Sequence, residues 1–65
     1  MSEFWYACFI TDMSEYCLID AGGDVRATAP DLEGILVARK HYGWGVVRRC
    51  KYRGGVLNVG RRVNV

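Results

Sequence analysis

Only one stretch of this chain reads as a helix, and that most limits what it can fold into. The segment Thr28 to Gly43 lies between two regions of strand-like residues. Thr28 is a good N-cap, Pro30 falls in the first turn where a missing N–H is harmless, and Asp31 follows the cap at the spacing of a capping box. Asp31 and Glu33 sit at the positive end of the helix dipole and Arg39, Lys40 and His41 at the negative end. Gly43 can adopt the left-handed conformation that ends a helix. Leu32, Ile35, Leu36, Ala38 and Tyr42 recur at three- and four-residue spacing and give the helix one apolar face. A single helix can cover only one face of a sheet, so the function has to be read from what the helix leaves open.

On the N-terminal side, Phe4 to Thr11 and Tyr16 to Ala21 read as two strands joined by a tight turn over Asp12-Met13-Ser14-Glu15. That pairing sets Thr11 opposite Tyr16, Phe9 opposite Leu18 and Cys8 opposite Ile19. One face then carries Phe4, Tyr6, Cys8, Ile10, Cys17, Ile19 and Ala21, with no charge, and is expected to meet the helix. The other carries Trp5, Ala7, Phe9, Thr11, Tyr16, Leu18 and Asp20. Gly22-Gly23-Asp24 is a turn, and Val25 to Ala27 is either a short third strand or an extended lead into the helix.

On the C-terminal side, Trp44 to Arg53 and Val56 to Val65 flank Gly54-Gly55, a strong signal for a two-residue hairpin. In that register Trp44 faces Val65, Val46 faces Val63, Cys50 faces Val59 and Tyr52 faces Leu57 on an apolar side. Val47, Arg49, Lys51, Arg53, Asn58, Arg62 and Asn64 form the opposite, basic side. Arg48 falls opposite Arg61, where like charges repel. A carboxylate of Asp20, Asp24, Asp31 or Glu33 bridging both guanidiniums, snorkelling of both past the helix edge, or a bound anion or partner carboxylate would each relieve this. The fold class expected is α+β: one domain over residues 1–65, with a mainly antiparallel sheet of four or five strands and one helix on one face, in the order ββ(β)αββ.

At 65 residues the chain is near the lower limit for independent folding and leaves little room for a deep enzyme cleft. Its longest apolar run is shorter than the roughly 20 residues of a membrane span, and there is no basic leader of the secretory kind, so a cytoplasmic, non-membrane protein is expected. The three cysteines and single histidine fit no common zinc spacing, and no cofactor or metal is expected. Cys8, Cys17 and Cys50 map to strands away from His41, which argues against a cysteine nucleophile. The paired glycines lack the spacing of a phosphate loop. A non-enzymatic role follows.

Charge is segregated. All seven acids precede Ala38 with Arg26 the only base among them, while residues 39–65 hold eight bases and no acid. Either the two halves neutralise each other on folding or the second half is a basic footprint for an acidic partner. With Trp5, Phe9, Tyr16 and Leu18 expected on the open sheet face beside Arg49, Lys51, Arg53 and Arg62, two functions fit. One is a protein-binding module with aromatic hot spots and arginines for an acidic surface. The other is a single-stranded nucleic-acid binder that stacks bases on the aromatics and tracks phosphates with the bases. Acidic residues Asp12, Glu15 and Asp20 in the first hairpin weigh against nucleic acid, and burial of the same face in a homodimer is a further outcome.

A Phe-Trp-led strand at Phe4 and Trp5, a hairpin, a helix with Ala27-Thr28 followed by Leu32, Ile35 and Ala38, and a Val/Arg strand after Gly43 resemble the small phage proteins that disable host machinery. The phage inhibitor of bacterial RNA polymerase and anti-CRISPR proteins are of this kind. The resemblance spans residues 4–53 and rests on size and element order, with no diagnostic motif, and the Gly-Gly hairpin departs from the polymerase-inhibitor plan. It implies a non-enzymatic inhibitor of a host complex and assigns no functional residue.

Overall fold

The computed structural model describes residues 5–65. Its elements are β1 (Tyr16–Ile19), β2 (Val25–Ala29), α1 (Leu32–Tyr42), β3 (Val46–Arg53) and β4 (Val56–Arg62). They build one four-stranded antiparallel sheet in the order β2-β1-β3-β4 with the helix on one face, the α+β architecture expected. Val25–Ala29 is a full strand, which resolves the choice left open at Val25 to Ala27.

The helix starts three residues later than its sequence suggests. Pro30 disfavours helical backbone in the residue before it, so Ala29 stays extended and Thr28 remains in β2. Asp31 caps instead, with φ −139° and ψ 168°, its Oδ1 accepting the Gly34 N–H at 2.7 Å. The other end is as expected. Gly43 has φ 81° and donates its N–H to the Arg39 carbonyl at 2.8 Å, with Arg39, Lys40 and His41 in the last turn.

The expected pairing of Phe4 to Thr11 with Tyr16 to Ala21 does not form. Both edges of β1 are taken, Tyr16 standing between Ala29 on β2 and Arg49 on β3. The shorter closure through Gly22-Gly23 wins because Asp20 organises it. Asp20 Oδ1 accepts the N–H groups of Gly22 and Asp24, each at 2.9 Å, and its other oxygen accepts from Arg26 Nε at 2.6 Å. Phe4 lies outside the described residues. The segment after it runs along the outer edge of β2, where Ala7 and Thr28 exchange two backbone bonds of 2.8 Å.

The helix also covers the opposite sheet face from the one expected. The core beneath it is Leu18, Ala27, Ala29 and Val47 with Ile35 and Ala38, bordered by Tyr6, Tyr16, Leu32, Tyr42 and Val63. Two features of β2 decide this. Ala27 and Ala29 are small enough to let Gly34 and Ala38 of the helix approach closely, whereas the alternate residues Arg26 and Thr28 would bring a charge and a hydroxyl into the apolar layer. Cys17 and Ile19, expected under the helix, therefore lie on the other side.

Candidate binding surface

Most of the packing between helix and sheet involves β1 and β2, and the helix reaches only the start of β3. Because β1 begins at Tyr16, opposite Arg49, the outer part of the second hairpin extends beyond it. There the neighbouring chain is the loop at 12–15: Glu15 accepts the Cys50 N–H at 2.9 Å, and a groove of about 400 Å³ lies between Asp12–Glu15, Pro30 and Lys51–Arg53. Gly54 and Gly55, with φ 57° and 80°, form the turn, as a type I′ hairpin requires.

Tyr52 pairs with Leu57 and Cys50 with Val59, as the sequence indicates. Past Cys50 the register slips by one residue, so Arg48 stands opposite Arg62 rather than Arg61. The extra residue is accommodated at Gly60 and Arg61 as a β-bulge. Arg48 does not share a carboxylate there; its Nε donates to the Gly60 carbonyl at 2.8 Å, using a backbone group that the bulge frees. The candidate anion site at Arg48 and Arg61 is thus replaced by a bulge with an arginine bonded to backbone.

The predicted site residues do not share one face. Leu18 is fully buried under the helix, and Tyr16 packs against the same core. Strand alternation from Val47 puts Arg49, Lys51 and Arg53 on the helix side of the sheet, beyond the helix itself, where the Arg49 guanidinium lies 5.4 Å from the Tyr16 ring centroid. Arg62, opposite Arg48, belongs to the other face. Trp5 and Phe9 are exposed, at 42% and 69%, but they belong to the segment bonded to the β2 edge, with β2 and β1 between that edge and the basic row of β3.

The open face is a surface the sequence did not point to. It carries Ile19, Val46, Tyr52 and Leu57, each half-buried, Val59 at 42% exposure, and Arg48 with Arg62 at one flank. These apolar residues looked like core because the row holds only one arginine on β3. The signals against that were Arg48 itself and the Arg26/Thr28 alternation, informative once Val25–Ala29 is known to be a strand. At the end of this face a groove of about 540 Å³ is bounded by Ile19, Val46, Trp44 and the Asp20–Arg26 ion pair. Hydrogen bonding to the Asp24 N–H and then to Arg26 holds the Asp20 carboxyl below the usual carboxylate range.

Asp20–Arg26 is the one ion pair among the described residues, and both partners come from the N-terminal part of the chain. The eight bases of residues 39–65 therefore keep their charge for the surface instead of pairing with the acids. Arg49, Lys51 and Arg53 make one exposed row, and Arg61 and Arg62 continue the charge on β4.

Cys17 and Cys50 are buried on the sheet face away from the helix, where the Cys17 thiol donates to the Arg48 carbonyl at 3.5 Å. Burial, reinforced by the neighbouring Cys17, pushes the Cys50 thiol from an ordinary 9.0 up to about 12, and burial also raises Cys17. Both thiols are protonated in the folded and unfolded chain at neutral pH. Above about 9 the unfolded chain releases these protons while the folded one retains them, so stability is full below that pH and falls as pH rises toward 12. Chemical denaturation across this window should show the decline, and Cys50→Ala should flatten it. A maleimide reagent at neutral pH should modify exposed Cys8 quickly and the other two only on unfolding.

Among the described residues no group of three or more His, Cys, Asp or Glu side chains is placed to hold a metal ion. No helix among them is long and apolar enough to cross a membrane. Comparison with protein-family models, with curated proteins and with solved structures gave no match.

Proposed function

We propose that this chain is a non-enzymatic protein-binding module that docks on an acidic surface of its partner through the β3–β4 hairpin. The observation that carries this reading is the two-sided hairpin, with an uncovered apolar row of Val46, Tyr52, Leu57 and Val59 and unpaired bases around it. An apolar centre rimmed by arginines is the usual anatomy of a protein interface, and buried tyrosine and arginine are frequent hot spots. The small size fits an inhibitor of a host complex like those encoded by phages.

Separation of Trp5 and Phe9 from the bases, which leaves Tyr52 the one half-exposed ring of the basic hairpin, weighs against single-strand binding. Stacking platforms need aromatic rings beside phosphate-tracking cations, whereas Trp5 and Phe9 belong to the opposite edge of the sheet and Tyr16 is committed to the core. Immobilised protein should retain a discrete protein from a nuclease-treated cell lysate, and Tyr52→Ala together with Leu57→Ala should release it. Retention of nucleic acid alone, abolished by nuclease and by loss of Arg49, Lys51 and Arg53, would replace this reading with the nucleic-acid one.

A further inference from the structure

We infer that the partner enters as a β-strand: an extended segment alternating acidic and apolar residues adds to the free edge of β4, making it the fifth strand. This rests on the protein-binding reading above and specifies its chemistry. The two edges of the sheet are not equivalent. The β2 edge is partly occupied, with Ala7 exchanging two backbone bonds with Thr28, whereas the backbone bonds made by β4 among the described residues are those of its β3 pairing.

The turn determines which groups of β4 are free. In a type I′ hairpin the residues flanking the turn, Arg53 and Val56, exchange both hydrogen bonds, and bonded pairs then alternate with unbonded ones. Lys51 and Asn58 are the next bonded pair, so Tyr52–Leu57 and Cys50–Val59 are unbonded. The N–H and C=O groups of Leu57 and Val59 therefore point outward, two donors and two acceptors in line. Sheet edges are ordinarily blunted by charge, proline or a bulge. Gly60, Arg61 and Arg62 blunt the far half of β4 in this way, while Val56, Leu57, Asn58 and Val59 carry none of these devices.

Charge selects the occupant. Arg53 stands opposite Val56 and Lys51 opposite Asn58, and Arg61 and Arg62 follow the open stretch, so positive charge predominates along it, Glu15 being the acid that shares a groove with Lys51, Asn58 and Gly60. A second copy would bring two such sets together, and like charges across a strand pair are destabilising. An added strand with acids on the Lys51 and Arg53 side would neutralise them. Its alternate residues would lie beside Leu57 and Val59 on the open face and should be apolar.

An end-blocked peptide of alternating glutamate and valine is a suitable probe, with a glutamate–proline peptide of the same charge that cannot form a strand as its counterpart. Amide hydrogen exchange in isotopically labelled protein should slow by about tenfold or more at Leu57 and Val59 when the first peptide is saturating, and not with the second. Val59→Pro removes an N–H that its own sheet does not use, so it should abolish binding while thermal unfolding stays cooperative. Binding without slowed exchange at these two amides would overturn strand addition and leave the acidic-partner reading standing. Failure of the peptide to bind a protein that still captures a partner through Tyr52 and Leu57 would do the same. Slow exchange at both amides in the free protein, with a dimer in sedimentation, would overturn it by assigning the edge to a second copy.

Discussion

Leu18→Ala should cost about 3 kcal/mol, within the range for a buried leucine that leaves a cavity. Leu18 lies on the central strand β1, is fully buried, and stands in the layer between Ala27 on β2 and Val47 on β3. Its neighbours Ala27 and Ala29 are too small to fill the vacated space, so little relaxation is available. A domain of this size has a total stability on the order of 3–10 kcal/mol, so the variant should be largely unfolded or show a much lower urea midpoint. A change below about 1 kcal/mol would mean that the helix does not pack on this side of the sheet.

Gly45→Ala should be about as damaging for a different reason. Gly45 has φ +118°, where a side chain is strained, and an added Cβ would lie 2.6 Å from Leu18 Cδ1 and 2.8 Å from its Cγ. Leu18 is held in the core and has nowhere to turn, so backbone strain and overpacking combine, each of order 1–3 kcal/mol. Gly43→Ala is the control, since its φ of +81° carries strain but nothing lies within 4 Å of the added atom. The double variant Leu18→Ala, Gly45→Ala should be more stable than the sum of the single effects implies, because the cavity of one accommodates the methyl group of the other. Strict additivity in urea denaturation would show that the two residues do not touch.

The parts of the fold legible in the sequence are those set by local backbone chemistry. Gly54-Gly55 gave the second hairpin and its register as far as Cys50, and Gly43 with the bases before it gave the end of the helix. The fold departs from the sequence expectation where a local signal has two outcomes. Thr28 and Asp31 are both capable caps, and the conformational effect of Pro30 on Ala29 chose between them. Facing was harder. Cys17 and Ile19 are as apolar as Leu18, and only a third strand with Arg26 and Thr28 on one side says which row the helix must cover. A one-residue bulge at Gly60 and Arg61 was likewise invisible to simple alternation, yet it moved Arg62 opposite Arg48. The candidate site changed accordingly: the basic row survives as an exposed feature, but the aromatic patch beside it does not.

Which residues the partner touches distinguishes the β3–β4 hairpin from the β2 edge. With the captured partner purified, the dissociation constant should be measured for Tyr52→Ala, Leu57→Ala, Trp5→Ala and Phe9→Ala in parallel. Tyr52→Ala and Leu57→Ala should each weaken binding by on the order of 2 kcal/mol, as at hot spots, with the fold unchanged by circular dichroism. Charge removal at Arg49, Lys51 or Arg53 should act mainly on the association rate and its salt dependence. Trp5→Ala and Phe9→Ala, at the other edge of the sheet, should leave affinity within about threefold of the parent. Loss of binding on changing Trp5 or Phe9, with Tyr52 and Leu57 indifferent, would contradict docking through the hairpin and move the interface to the β2 edge.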